Sequence, residues 1–331
     1  MTVDNSGTLN GLSITGVADS FVVNSGFINN TFSVLNGSTF SFENRAGSIN
    51  TTLDVSVSDQ IAIINRQDAA LNQLNLQAPN TTIDNSGVFN SPILFTLDGA
   101  NNIQNRATGI LNGITATGNS ADHVHNLGGI NGLVSLGDGN DWYVNLGTTG
   151  EAGSANTIDL GAGNDTFYIQ DGLVTSRVDL GPGDDWAAML EGRLSSDFHA
   201  GTGNDRLNWA GGIIQAGIFM EDGDDTAIFY DLTPANLLTG EIIDGGLGND
   251  NLVWQNTVGG DVYRYDNWEL IALTRNSEMR FADWATLTLG DSGTGTGRLT
   301  IDSASRVLAG GGTHTVAPLQ IRNWCRWKTP D

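Results

Sequence analysis

The 331-residue sequence predicts an all-β chain wound as a parallel β-solenoid of about 15 coils, each of about 20 residues. Three observations carry that expectation. An asparagine phrase returns at a nearly constant step through the first 130 residues, and a glycine-aspartate phrase then takes over at a similar period. The composition also lacks the Ala, Leu, Glu and Lys runs of long helices while being rich in Gly and Asn, which suits short strands and tight turns. With 39% apolar residues the chain can still bury a core.

The first block, residues 1–130, is marked by Asn5, Asn24, Asn44, Asn65, Asn85, Asn105 and Asn126, at steps of 19, 20, 21, 20, 20 and 21. Each follows an apolar residue one or two places earlier, such as Val3, Phe42, Ile83 or Val124. Successive coils of a solenoid stack at roughly 4.8 Å, so these asparagines form a column. An amide both donates and accepts, so it can bond the coil above and the coil below. The column is expected to hold register rather than to form a site.

The second block, residues 131–260, carries Leu-Gly-Asp-Gly-Asn-Asp ending at Asp141 and its variants ending at Asp165, Asp185, Asp205, Asp225 and Asp250. These aspartates are spaced 24, 20, 20, 20 and 25 residues apart. The two long steps predict loop insertions near 147–156 and 231–240, where Gly, Thr and Pro cluster. A third block, 261–316, keeps strand-like alternation without the glycine turn, and residues 317–331 match nothing before them and read as a cap, tag or truncated tail.

Charge limits the function. A formal net charge of −23 with a single lysine, Lys328, opposes nucleic-acid binding, which needs clustered Lys and Arg, and opposes adsorption to anionic lipid. No run of 18 apolar residues predicts direct membrane insertion, the polar start is no signal peptide, and one cysteine, Cys325, makes no disulfide framework. The acids crowd into the second block, where Arg177, Arg193 and Arg206 are the only Arg or Lys residues. Stacked carboxylates about 4.8 Å apart repel by roughly 1 kcal/mol in water and nearer 3–4 at an effective dielectric of 20.

Calcium, which takes six to eight oxygens from carboxylates and carbonyls, would neutralise such a column. The candidate ligands are Asp141, Asp165, Asp185, Asp205, Asp225 and Asp250, with Asp138, Asp184 and Asp224 beside them and support from Asp159, Asp179 and Asp244. The alternative is a solvated acidic edge whose aspartates only form turns. The stretch from Gly245 to Asp250 resembles the calcium-binding RTX repeat, G-G-x-G-x-D-x-U-x. The other five copies lack its first glycine, and each coil has one such turn rather than two.

The order of Asn-Ser-Gly coils, Leu-Gly-x-Gly-Asn-Asp coils and the Asp-Asn-Trp-Glu phrase at Asp266–Glu269 resembles bacterial autotransporter passenger domains over about residues 1–316. That resemblance implies a right-handed parallel β-helix that is secreted or held at the bacterial cell surface outside the outer membrane. It further implies an adhesin-type protein whose partner is a host-cell or bacterial surface protein or glycan, with self-association open. No membrane-strand translocator follows residue 316, so the chain reads as an isolated passenger or fragment.

Two other functions compete. Parallel β-helices also host polysaccharide lyases and hydrolases, but acids repeated identically on six rungs cannot each take a distinct catalytic role. A purely structural surface rod is the third reading. His123 and His125 beside Asp122 are the one local cluster of note, a weak transition-metal candidate or simply an exposed turn. Among Trp142, Trp186, Trp209, Trp254, Trp268 and Trp284, the first two directly follow motif aspartates and are candidate platforms for sugar or protein, with burial in the interior as the plainer expectation.

Overall fold

The computed structural model describes residues 1–151, 155–237, 241–260, 262–283, 286–290 and 297–310, and the backbone of 315–317. The chain is a parallel β-solenoid of about 14 turns, close to the count the period predicts. It divides into two compact units, one of Met1–Thr166 with Leu173–Ser176 and one of Phe167–Gly172 with Arg177–Asp331.

In the first unit each coil presents up to three short strands, and every one pairs in parallel with its counterpart about one period away. The longest column runs through Thr2–Asn5, Asp19–Asn24, Asn80–Asn85, Ala100–Asn105, His123–Asn126 and Trp142–Asn145. Its register sets Asn5 on Asn24, Asn85 on Asn105 and Asn126 on Asn145. Two coils are nearly continuous strand, Phe32–Asn44 and Gly47–Asn65, and take their corner through register shifts around Gly37. Alternation decides the core: Ile61, Ile63, Ile83, Ile103 and Val124 point inward, and Phe40 stacks on Phe42 while Phe32 meets both edge-on, at centroid distances of 5.4–6.3 Å.

The second unit repeats the plan with larger interior side chains. Trp186–Met189, Arg206–Trp209, Thr226–Tyr230, Asn251–Gln255 and Leu270–Thr274 stack in one column, continued by Arg298–Ile301. Trp209, Trp254, Trp268, Phe229 and Tyr265 are fully buried inside it. A separate three-stranded sheet of Val258–Gly259, Glu278–Phe281 and Arg306–Ala309 keeps the third block parallel, with Glu278 bonded to both Arg280 and Arg306. Among the described residues no helix is long and apolar enough to cross a membrane.

The first expected insertion needs adjustment. Thr148–Thr149 is a regular strand paired with Leu173–Val174, so the first insertion begins only after it; residues 152–154 lie outside the described ones. The second closes on Asn236, whose Oδ1 accepts the Thr233 amide and hydroxyl, and residues 238–240 lie outside the described ones. The same holds for Trp284, Cys325, Lys328 and, apart from the Ala317 backbone, the tail 317–331.

Candidate functional site

The motif aspartates sit immediately before a strand, where alternation turns their side chains inward. Asp141 and Asp165 in the first unit are 1% exposed, and Asp185, Asp205, Asp225 and Asp250 in the second are 0–2% exposed. Within each unit they are therefore buried, and the solvated-edge alternative does not hold for them.

Within each unit an Oδ1 accepts the backbone amide of the aspartate one rung earlier. Asp141 N donates to Asp165 Oδ1 at 2.6 Å, Asp185 N to Asp205 at 2.8 Å, Asp205 N to Asp225 at 2.7 Å and Asp225 N to Asp250 at 2.8 Å. The reason is local. The residue at the turn–strand junction has an amide outside the strand ladder, and an acceptor-only carboxyl one rung on satisfies it. The second oxygens behave differently: Oδ2 of Asp141, Asp205 and Asp225 is buried without a hydrogen-bond partner among the described residues.

Such burial makes the charged form costly. It raises Asp141 to about 8, Asp225 to about 7, and Asp165 and Asp205 to about 6, against the pull of the donated amides. Neighbouring carboxyls add to the rise, as Asp165, Asp122 and Asp138 do at Asp141.

The column is longer than the motif shows. Asp122 precedes Asp141 by one period, is 3% exposed, donates its amide to Asp141 Oδ1 at 2.7 Å, and accepts the Asn101 amide at 2.7 Å. Its carboxyl is also raised to about 6, chiefly by burial. In the second unit the Asp250 amide donates to Glu269 Oε2 at 2.6 Å. Neither residue stands in a glycine phrase, which is why a motif search misses them; a step of 19 from the nearest motif aspartate would have found both. Asp122 consequently leaves the proposed histidine cluster. Residues adjacent on a strand face opposite sides, so Asp122 points inward while His123 and His125 point outward. His125 pairs with Gln104 at 2.9 Å, and His123 meets Trp142 edge-on at 5.6 Å.

The flanking acids stand apart from this column. Asp184 and Asp224 are exposed, and their Oδ1 atoms accept the amides of Asn204 and Asn249 at 2.8 and 2.9 Å. Asp138 is exposed on its turn, as is Asp159 on its strand; Asp179 pairs with Arg177 at 2.7 Å, and Asp244 accepts from Asn267 at 2.7 Å. Among the described residues no three His, Cys, Asp or Glu side chains gather as a metal-holding group.

Glycine lets these turns stack. A Cβ on Gly163 (φ 144°) would lie 1.6 Å from the Gly139 carbonyl oxygen, and one on Gly223 (φ 157°) 1.6 Å from that of Gly203. The turn backbones thereby pair as well, Gly203 N donating to Asp222 O at 2.9 Å and Gly223 N to Leu247 O at 2.8 Å. Glu221 holds a glycine-like φ of 75° at the register of Gly246, and its carboxyl meets His199 Nδ1 at 2.6 Å.

What the column itself offers a cation is carboxyl oxygen, the hard donor calcium takes and zinc or copper do not favour. The carboxyls come singly, one per rung, so a cation of six to eight oxygens would need further oxygen ligands beside them.

Of the aromatic candidates, Trp142 and Trp186 face solvent, at 44% and 41% exposure, whereas Trp209, Trp254 and Trp268 are interior. The expectation of burial thus fails for the two that follow a motif aspartate. With the aspartate turned inward, the next side chain must point out. No family model, curated protein or solved structure matches this chain.

Proposed function

We propose that this chain is a β-solenoid segment of a secreted or cell-surface protein of the autotransporter-passenger kind, a non-catalytic binder of surface proteins or glycans whose acidic column takes calcium. One observation carries the reading. A buried carboxyl recurs in the same pose on successive rungs, and at Asp141, Asp205 and Asp225 one of its oxygens has no hydrogen-bond partner among the described residues. A hydrogen-bonding spine alone uses only Oδ1 and leaves that second oxygen without a role.

The residues that would hold the ion are Asp141, Asp165, Asp185, Asp205, Asp225 and Asp250, with Asp122 as a further rung. The ion would supply positive charge where burial makes carboxylates costly, and would do no chemistry. Asp138, Asp184 and Asp224 lie on the solvent side and would contribute field rather than ligation. Stability, not turnover, is the output: coils that hold more firmly where calcium is plentiful, as outside cells.

The test is thermal melting near pH 8, where the column is most charged, in EGTA and then with rising calcium. The expected result is a Tm that climbs with the logarithm of calcium concentration, because the ion binds the folded chain alone. Magnesium, which dehydrates reluctantly and demands strict octahedral geometry, should do much less. Identical melts in EGTA and saturating calcium would overturn the metal reading and leave a neutral hydrogen-bonded spine.

A further inference from the structure

One face of the first unit carries a trough of about 380 Å³, small for a ligand pocket but within the range of such sites. It arises where side chains shrink along a column. Gln60 pairs in register with Asn80 and then Ala100, and by the same register Ala121 follows. The two alanines leave a depression flanked by the neighbouring outward column of Thr82, Asn102 and His123. That column continues to Trp142, whose indole is 44% exposed.

The polar groups here differ from those beside them. In the next outward column the side chains are bonded across rungs: Glu43 with Arg66 at 3.0 Å, Asp84 with Arg106 at 2.8 Å, Gln104 with His125 at 2.9 Å. Around the trough, Gln60, Asn80, Thr82 and Asn102 are exposed and make no side-chain hydrogen bond among the described residues. A stacked sheet makes cross-rung pairing easy, as the adjacent column shows. Four neighbouring polar side chains left unengaged around one depression are a prepared set of donors and acceptors.

We infer that this trough binds a neutral oligosaccharide, with Asn80, Asn102 and Thr82 bonding its hydroxyls and Trp142 stacking on a ring face. Amides and hydroxyls both donate and accept, which matches vicinal sugar hydroxyls. Among the described residues no Arg or Lys lines the trough, and its single carboxylate, Asp59, together with the charge of −23, disfavours an anionic glycan. A peptide would need an unpaired strand edge or an apolar anchor pocket. The flanking strands are paired on both sides, and the lining apolar residues are only Ala100 and Ala121. Adjacent rungs lie about one pyranose residue apart, so a short chain laid across the strands would meet an equivalent group on each.

The inference gives the surface-binder reading a place and a ligand class, and it does not depend on calcium. Its test is binding of the intact chain, in calcium and in EGTA, to a panel of neutral cello-, xylo-, malto- and galacto-oligosaccharides, with polygalacturonate and heparin as anionic comparators. At least one neutral oligosaccharide should bind, with Asn102→Ala and Asn80→Ala each weakening it about tenfold, one lost pair of hydrogen bonds at roughly 1.4 kcal/mol. Trp142→Ala should weaken it similarly, and Asn90→Ala, outside the trough, should not. All these positions are at the surface, and unchanged melting of each variant confirms its fold. No neutral ligand in the panel, a preference for the anionic glycans, or affinity unmoved in Asn80→Ala and Asn102→Ala would each overturn the assignment. Calcium-dependent melting without sugar binding would sink this inference alone, and the reverse would sink only the metal reading.

Discussion

In the first unit the strand His123–Asn126 is preceded by an aspartate and ends in an asparagine, and Trp142–Asn145 repeats the arrangement. Both side chains point inward and both are buried, yet they resolve burial in opposite ways. Each asparagine Nδ2 from Asn5 to Asn126 donates to the next rung's Oδ1 at 2.7–3.0 Å. Spare capacity goes to the turn, where Asn126 Oδ1 accepts the Gly128 amide at 3.2 Å and its Nδ2 donates to Thr148 O at 3.1 Å. The amide column is closed on itself and needs nothing from outside. An ionised aspartate has no donor, so its column must be satisfied by backbone amides, by protonation or by a cation. Donor arithmetic, rather than shape, separates a register device from a candidate ion site.

The sharpest way to break that contrast is Asn85→Asp. The carboxylate could still accept from Asn65 but could not donate to Asn105, and it would be wholly buried. The expected loss is about 3–5 kcal/mol, the cost of an uncompensated buried charge, read as a fall in Tm near neutral pH. A melt unchanged from wild type would show that the amide chain does not require its donors.

The second prediction concerns pH with all metal chelated. Carboxyls raised to about 6 to 8 hold protons in the folded state that the unfolded chain has already released above about pH 4. The folded state binds more protons across that window, so stability should fall as pH rises from about 5 to 8, by several degrees in Tm. Below about pH 4.5 the order reverses, because Glu43 and Glu278, held low by arginine partners, lose their ion pairs. Calcium should flatten the alkaline side. Asp225→Asn should raise metal-free stability near pH 8 by about 1–2 kcal/mol, since its Oδ1 still serves the Asp205 amide and the buried charge is gone, and should reduce the calcium response. A metal-free Tm that rises steadily from pH 5 to 8 would contradict the burial account.

The smallest effect belongs to the outer column. Asp224→Asn keeps the acceptor for the Asn249 amide and removes only an exposed charge. Stability should stay within about 0.5 kcal/mol, with the calcium response intact. A large change there would place the metal ligands on the solvent side instead.

Much of this architecture is legible in the residue order alone. Constant steps between Asn5 and Asn126 imply stacking, and stacking implies that like residues meet, so the asparagine ladder follows from spacing. The aspartate column is legible as a column but not as a buried one. Gly-x-Gly-Asn-Asp contains two adjacent polar residues, and spacing cannot say which faces inward. Asp224 and Asp225 share their sequence neighbourhood and have opposite environments in the fold. Asp122 and Glu269 are hidden because the column outlasts the glycine motif that advertises it, and Asp122 stands beside two histidines that suggest a different site.

The sequence by itself determined the period, the parallel stacking and the identity of each column, because a linear repeat maps directly onto a stack whose neighbours are one coil apart. Only the tertiary structure decided which carboxyls are buried, which oxygen of each takes the backbone amide, and where polar side chains around Ala100 stay unengaged. Those outcomes depend on the side of the backbone a residue faces and on what the next rung offers it, and a step of about twenty is silent on both.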